Sequence, residues 1–234
     1  MMQRNTQTKC IDCEICTNRS NLFNDLSAED LSLINKDRYS IRFNPREIII
    51  KQGTSGTKVL SVVDGLAKLY IEGFNKKNLI LAIAKPWEII GGPGVHTDNR
   101  NHYSVSALVE TTVCFIDRNN FNEVLMRNAR FADAMIRHIS YKTISNFDKL
   151  VSLTQKQMHG RMADALLYLS EVVFEGTKFN MLLSRQDLAD LSGMSKDSAI
   201  RILKEFENDK IIQMDGKKLN IPNISRLKDI SVTG

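Results

Sequence analysis

Three of the four cysteines fall in one short run, Cys10-Ile11-Asp12-Cys13-Glu14-Ile15-Cys16. Thiolates are metal ligands and redox groups. In a C-x2-C-x2-C spacing, three of them lie close enough to hold three irons of a cubane, as the same spacing does in bacterial ferredoxins. A [4Fe–4S] cube needs a fourth thiolate, and the only other cysteine is Cys114, in Thr112-Val113-Cys114-Phe115-Ile116. The expected ligand set is therefore Cys10, Cys13, Cys16 and Cys114. The same sulfurs would also suit tetrahedral zinc. A third reading leaves the N-terminal segment without metal and Cys114 as an inert buried thiol. The histidines, His96, His102, His138 and His159, are scattered. A lone imidazole is more often a hydrogen-bonded residue than a haem ligand. Met135, Met158 and Met162 stand at helical spacing and read as packing residues.

A second group of residues could recognise nucleic acid. Ser184-Arg185-Gln186-Asp187 has the form of a capping box and opens a helix through Leu191. Ser192-Gly193 breaks that helix, and Ser195 is placed to cap a second one, Lys196 to Phe206. Ala189 is small where two helices must cross, and Met194, Ala199, Ile202 and Leu203 can point inward. Two short apolar runs around Asp215-Gly216 then predict a hairpin. Helix, glycine turn, capped helix and hairpin make a winged helix-turn-helix. Its second helix turns Lys196, Asp197 and Arg201 outward. Arg can grip guanine O6 and N7 with both arms, and Asp can accept from cytosine N4. Ser198 suits a phosphate or a base, and Ser184, Ser195 and Lys204 complete the candidate DNA contacts. A plain solvated helical face is the competing explanation for the mixed charge.

These groups need elements to hold them. Ser27-Ala28-Glu29-Asp30 predicts a capped short helix to about Lys36. From Tyr39 to Asp117 short β-branched runs recur at 47–51, 59–63, 67–72, 79–84, 103–109 and 112–116, separated by turn signals such as Asp64-Gly65. Many short strands at such spacing mean a sandwich, roll or barrel. From 129 to 158 there is neither Pro nor Gly, and Ile136, Ile139, Ile144, Phe147, Leu150, Val151 and Leu153 recur every three or four residues. A helix of about thirty residues is well above the usual length and needs a partner along its face. A second copy of the chain supplies one, through Ile136, Ile139, Ile144, Phe147 and Val151. A helix is predicted over 160–173 and a strand-like run over 178–183. The expected domains are a cysteine-rich segment at 1–20, a sensor roll at 21–128, a dimerisation helix at 129–158 and a DNA-binding domain at 159–234.

The totals agree with a globular α+β protein: 234 residues, 42% hydrophobic, 25% charged, formal charge +5. The positive excess is not gathered at the helix-turn-helix, since 181–218 holds seven Lys or Arg and seven Asp or Glu. No signal peptide and no membrane-crossing run is evident, so a cytoplasmic protein is expected, where clustered cysteines bind metal or do redox chemistry. A Ser/His/Asp order, HExxH, a P-loop and GxGxxG are all missing, so no enzyme is expected.

With these residues in place the chain resembles the CRP/FNR family, and the fumarate-nitrate reduction regulator (FNR) type in particular. Gly53…Val59-x-x-Val62-x-x-Gly65-x-x-Lys68 resembles its β-roll signature, and Asp187-Leu-Ala-Asp-Leu-Ser-Gly-Met-Ser-Lys-Asp-Ser-Ala-Ile-Arg201 its helix-turn-helix. The resemblance implies an N-terminal antiparallel β-roll of the cyclic-nucleotide-binding, jelly-roll kind, a long dimerisation helix and a C-terminal winged helix-turn-helix. It implies a homodimer on double-stranded DNA with inverted half-sites, and RNA polymerase as a further partner. The family reads DNA with an acid followed four residues later by Arg, which Asp197 and Arg201 keep. Asp stands for the usual Glu, and Ile200 where FNR-like members carry Ser. In FNR the fourth cluster ligand lies at the place of Cys114. CRP-type members bind cyclic AMP through a Gly-Glu pair and an Arg-Ser or Arg-Thr. Here Ile90-Gly91-Gly92-Pro93 has no Glu and Asn101-His102-Tyr103-Ser104 no Arg, so cyclic AMP is not the expected ligand. A metal-free regulator with another small ligand in the roll is the alternative.

Overall fold

The computed structural model describes the backbone of Gln7–Thr8 and residues 20–234. Cys10, Cys13 and Cys16 lie outside the described residues. The elements in chain order are β1 (Gln7–Thr8), α1 (Ala28–Asn35), β2 (Tyr39–Phe43), β3 (Ile48–Ile50), β4 (Lys58–Asp64), β5 (Ala67–Glu72), β6 (Asn78–Ala84), β7 (Ile89–Ile90), β8 (Ser104–Ala107), β9 (Thr111–Asp117), α2 (Arg118–Arg127), α3 (Ala129–Gln155), α4 (Met158–Tyr168), β10 (Lys178–Asn180), α5 (Arg185–Ser192), α6 (Lys196–Asn208), β11 (Gln213–Asp215), β12 (Lys218–Asn220) and α7 (Ile224–Thr233). They form two compact units. One runs through Glu72 and resumes over Ala82–Thr143; the other holds Gly73–Leu81 and Ile144–Gly234.

The antiparallel β-roll has two sheets, ordered β1-β2-β9-β4-β7 and β3-β8-β5-β6. Side chains alternate along β9 as a pleated strand requires. Val113 and Phe115 point into the roll against Phe43, Leu60, Val62 and Val105. Ile116 points out, joining Val59, Leu31, Ile34, Phe121, Val124 and Phe131 in a second core under the helices. The Asp64-Gly65 turn is built as its residues imply. Gly65 sits at φ +85°, and a Cβ there would meet the Glu110 carbonyl oxygen at 2.3 Å.

The α1 capping box forms: Ser27 Oγ accepts from the Asp30 N–H at 3.1 Å and Asp30 Oδ2 from the Ser27 N–H at 3.3 Å. The long helix ends at Gln155 rather than 158, because Gln157 already starts the next helix as its N-cap. The helix expected over 160–173 begins at Met158 and ends in a π-turn, Leu169–Val173. The strand expected over 178–183 is three residues, Lys178–Asn180; Met181 still donates to the Lys217 carbonyl at 2.7 Å before the Ser184 cap begins α5. Three described strands are not evident in the sequence pattern: β2 and the two-residue β1 and β7. In the second unit α4, α5, α6 and α7 bury Met162, Leu166, Leu188, Ala189, Ile202, Phe206 and Leu227 against one another.

Candidate DNA interface and sensor site

Helix α5 opens on Ser184, whose hydroxyl accepts from the Asp187 N–H and donates to Asp187 Oδ2 at 2.6 Å. The helix closes on Gly193 in the left-handed region, φ +62°. Ser195 caps α6, accepting from the Ser198 N–H at 3.1 Å and donating to Ser198 Oγ at 2.9 Å. Both cap hydroxyls, proposed from sequence as DNA contacts, thus hold the motif itself together. Ala199, Ile202, Leu203 and Phe206 bury one face of α6, and Ala189 is fully buried where α5 crosses it. The opposite face presents Asp197, Arg201 and Lys204 at one-turn spacing, with Lys196 exposed beside them and Ser198 half-buried. Arg201 Nη1 is 3.0 Å from Glu205 Oε1, and Glu205 Oε2 is 2.6 Å from His159 Nε2. The hydrogen bond from His159, aided by Arg201, holds the Glu205 carboxyl below the ordinary range.

The hairpin after α6 is the middle and edge of a three-stranded sheet, β10-β12-β11. Its turn carries Gly216 at φ +58°, with Lys217 and Lys218 exposed beside it. Sequence reasoning named the wing but passed over these two cations. Two lysines directly after an Asp-Gly turn were the available signal. Glu207, Lys196 and Lys204 give α6 a mixed exposed charge, to which Lys217 and Lys218 add positive charge at the hairpin.

In the roll, Cys114 stands at the centre of the five-stranded sheet, paired in register with Ser40 on one side and Ser61 on the other. Its side chain is on the outer face, and the residue is 4% exposed. Arg38 Nη1 donates to Sγ at 3.4 Å, and Ser40 Oγ lies at 3.3 Å. Both flanking serines are buried with it. Strand β1 pairs with β2 so that Thr8 faces Ser40, which in turn faces Cys114. Thr8 is therefore two strand spacings, about 10 Å, from Cys114.

Two family models match this chain: a cyclic nucleotide-binding domain over residues 40–128 and a Crp-like helix-turn-helix domain over 160–230. The second covers the capped helices and wing just described. The chain belongs to the CRP/FNR family of transcription regulators. It is a DNA-binding regulator and not an enzyme. It is similar to the transcriptional activator protein Anr of Pseudomonas protegens, with 22% identity over 94% of this chain and 91% of Anr. The transcriptional activator protein FnrL of Cereibacter sphaeroides is also 22% identical, over 82% of this chain and 79% of FnrL. Among solved structures, FixK2 of Bradyrhizobium japonicum superposes with a TM-score of 0.74 at 18% identity, covering 82% of this chain and 96% of FixK2. That likeness is one of fold.

In this CRP/FNR regulator the roll's nucleotide region is already internally satisfied. Ser104 is fully buried; it accepts from the Gln52 N–H at 2.9 Å and donates to the Glu72 carboxylate. Glu72 also grips Lys51 Nζ at 2.6 Å, and that ammonium with Ser104 holds its carboxyl low. A phosphate brought to Ser104 would face a carboxylate. Burial pushes the Tyr103 phenol far up, so it stays neutral. Three of the four histidines take structural roles: His102 pairs with Asp98 at 3.0 Å, His138 bonds the backbone of Ile89 and His159 holds Glu205; His96 is exposed. Among the described residues no group of three His, Cys, Asp or Glu could hold a metal ion. No helix among them is long and apolar enough to cross a membrane.

The long helix of the regulator carries Ile136, Ile139, Ile144, Phe147, Leu150 and Val151 along one stripe, each between 47% and 63% exposed. Phe131 and Met135, at its start, are buried in the core beneath the roll.

Proposed function

We propose that this regulator is a cytoplasmic homodimer that reads inverted half-sites with α6 and is switched by a redox-labile [4Fe–4S] cluster on Cys10, Cys13, Cys16 and Cys114. The observation that carries the cluster is the register β1–β2–β9, in which Thr8 faces Ser40 and Ser40 faces Cys114. It brings the chain just before the three-cysteine run within reach of the fourth sulfur. The residues fit such a group. Serines flank the sulfur, and Arg38 and Ser40 offer donors to a thiolate, the kind of hydrogen bond that tunes a cluster's potential. The cluster would supply sensitivity to oxygen, nitric oxide or redox state. This chain's residues hold it against β9, one strand ahead of α2 and α3.

On the DNA, Arg201 contacts guanine with both arms, Asp197 accepts from cytosine, and Lys196, Ser198 and Lys204 contact the backbone or neighbouring bases, with Ser184 and Ser195 at the helix ends. The exposed stripe Ile136, Ile139, Ile144, Phe147 and Val151 meets its copy in the partner, and the division into segment (1–20), roll (21–128), dimer helix (129–158) and DNA-binding domain (159–234) follows. RNA polymerase is the further partner of such a regulator. Cyclic AMP is not its ligand on this reading, because Ile90-Gly91-Gly92-Pro93 has no Glu and no Arg stands beside Ser104.

The deciding experiment is anaerobic purification with an absorbance spectrum and iron and sulfide assays, on the natural chain and on Cys114→Ser. Expected are about four irons and four sulfides per chain, with absorption that bleaches in air, all lost in Cys114→Ser at unchanged circular dichroism. Colourless protein that contains zinc, or no metal, overturns the cluster and leaves DNA binding standing. Normal iron in Cys114→Ser would mean another fourth ligand.

A further inference from the structure

A cavity of about 440 Å³ lies within the second unit, lined by the C-terminal half of α3, α4, the end of α5 and Leu81 of β6. Its volume falls in the range of small-molecule sites. Leu153, Ala165 and Leu191 give it apolar walls. Asp148, Lys149, Lys156, Arg161 and Asp164 are the charged groups that face it. Lys156 Nζ is matched by Asp164 at 2.8 Å, and Asp164 also accepts from Ser152 and Ser231. The other two cations are not matched in this way. Desolvation alone acts on the Lys149 ammonium and pulls it down to about 8. Arg161 Nη1 donates to the Gly193 carbonyl at 3.0 Å, but its Nε–H is buried without a partner among the described residues. Folded proteins leave few buried donors unmatched, and a ligand acceptor is one way to satisfy them.

We propose that this cavity is an effector site for a small organic anion with an apolar body, its acidic group held by Lys149 and Arg161 and its body against Leu153, Ala165 and Leu191. The site needs no metal. Arg161 also holds the carbonyl of Gly193, the turn residue between α5 and α6. An anion that draws on the same guanidinium therefore bears directly on the helix-turn-helix turn. It shifts DNA binding to the extent that it prefers one arrangement of that turn.

The test is a titration of the full chain with 8-anilinonaphthalene-1-sulfonate, a fluorescent aromatic anion, followed by displacement. Saturable binding at one site per chain is expected, with octanoate displacing the probe and neutral octanamide failing to. Lys149→Gln should weaken the probe by at least about tenfold, the effect of losing a charge-assisted contact. Affinity should also fall between pH 7 and pH 9 as Lys149 loses its proton, with Asp148, Lys156, Arg161 and Asp164 the other charged groups facing the cavity. Ser145→Trp, which fills the cavity's edge from a solvent-exposed position, should block the probe at unchanged circular dichroism. No saturable binding, equal displacement by octanamide, or full affinity in Lys149→Gln overturns the proposal.

Discussion

Arg201 and Glu205 sit one turn apart on α6, joined at 3.0 Å, and the second oxygen of Glu205 is held by His159 at 2.6 Å. The pair is exposed and contributes little to stability. Its effect is on position, because it sets where the guanidinium starts before DNA arrives. Arg201→Ala should cost about 1–3 kcal/mol on a selected site and relax one base position, with far less effect on random DNA. Glu205→Gln should do something different. Removing a negative charge near the phosphates should tighten binding to random DNA and steepen the salt dependence by about one counterion, while the ratio of specific to random affinity falls. Titrations at several salt concentrations, with DNA selected from a random pool by the natural chain, read both. Equal losses on both DNAs for Arg201→Ala would remove it as a base reader.

Two glycines in turns should respond unequally to alanine. At Gly65 a Cβ meets backbone, the Glu110 carbonyl oxygen at 2.3 Å, on top of φ +85°. At Gly193 it meets only the end of the Leu153 side chain, at φ +62°. Side-chain ends move cheaply and strand backbone does not. Gly193→Ala should therefore cost about 1 kcal/mol and Gly65→Ala more than about 2 kcal/mol in urea unfolding. The reverse order would mean that the turn around Gly65 can relax.

The contrast between these turns also shows what was legible in the chain. Local chemistry was readable wherever one residue decides: the Ser27, Ser184 and Ser195 caps, the Gly65 and Gly193 turns and the Asp215-Gly216 wing all form. Strand β2 was not, because Arg42 and Ser40 alternate with apolar residues too briefly to stand out from a loop. Two-residue β7 has no period at all. At the candidate sites, spacing identified Asp197, Arg201 and Cys114 as groups worth placing. The partners that define their surroundings are remote in sequence. Glu205 is bound by His159, and Cys114 by Arg38 and Ser40, contacts that only the fold creates. Sequence likewise gave no hint that Glu72 would occupy Ser104.

Asp30 makes a pH prediction with a definite sign. It is 5% exposed. Burial raises its pKa, but hydrogen bonds from Asn128, Arg127 and Ser27 outweigh this and leave it below the ordinary value. A carboxyl whose pKa is lower folded than unfolded binds more protons when unfolded. Its contribution is therefore complete above the ordinary Asp value of about 4 and is lost as pH falls through the depressed folded value. Asp30→Asn should cost about 1–3 kcal/mol at pH 7, the size of a lost charge-assisted bond. The gap to the natural chain should close on acidification. Parallel unfolding curves from pH 7 to pH 3 would show that Asp30 does not carry this charge.

The stripe on α3 makes the last prediction, and it links assembly to DNA binding. Phe147 is 62% exposed and lies at the middle of Ile139, Ile144, Leu150 and Val151. If that face meets a second copy, Phe147→Glu buries an unpaired carboxylate at the centre of an apolar contact. Such a charge costs several kcal/mol, enough to shift dissociation by at least about a hundredfold. Sedimentation should then show monomer where the natural chain is dimer. Binding to an inverted repeat should fall with it, because each monomer reaches one half-site and the second contact no longer adds. Ser145→Glu, half a turn away on the opposite side of the helix, should leave the dimer intact. A Phe147→Glu chain that still sediments as a dimer would mean that α3 is not the surface where two copies meet.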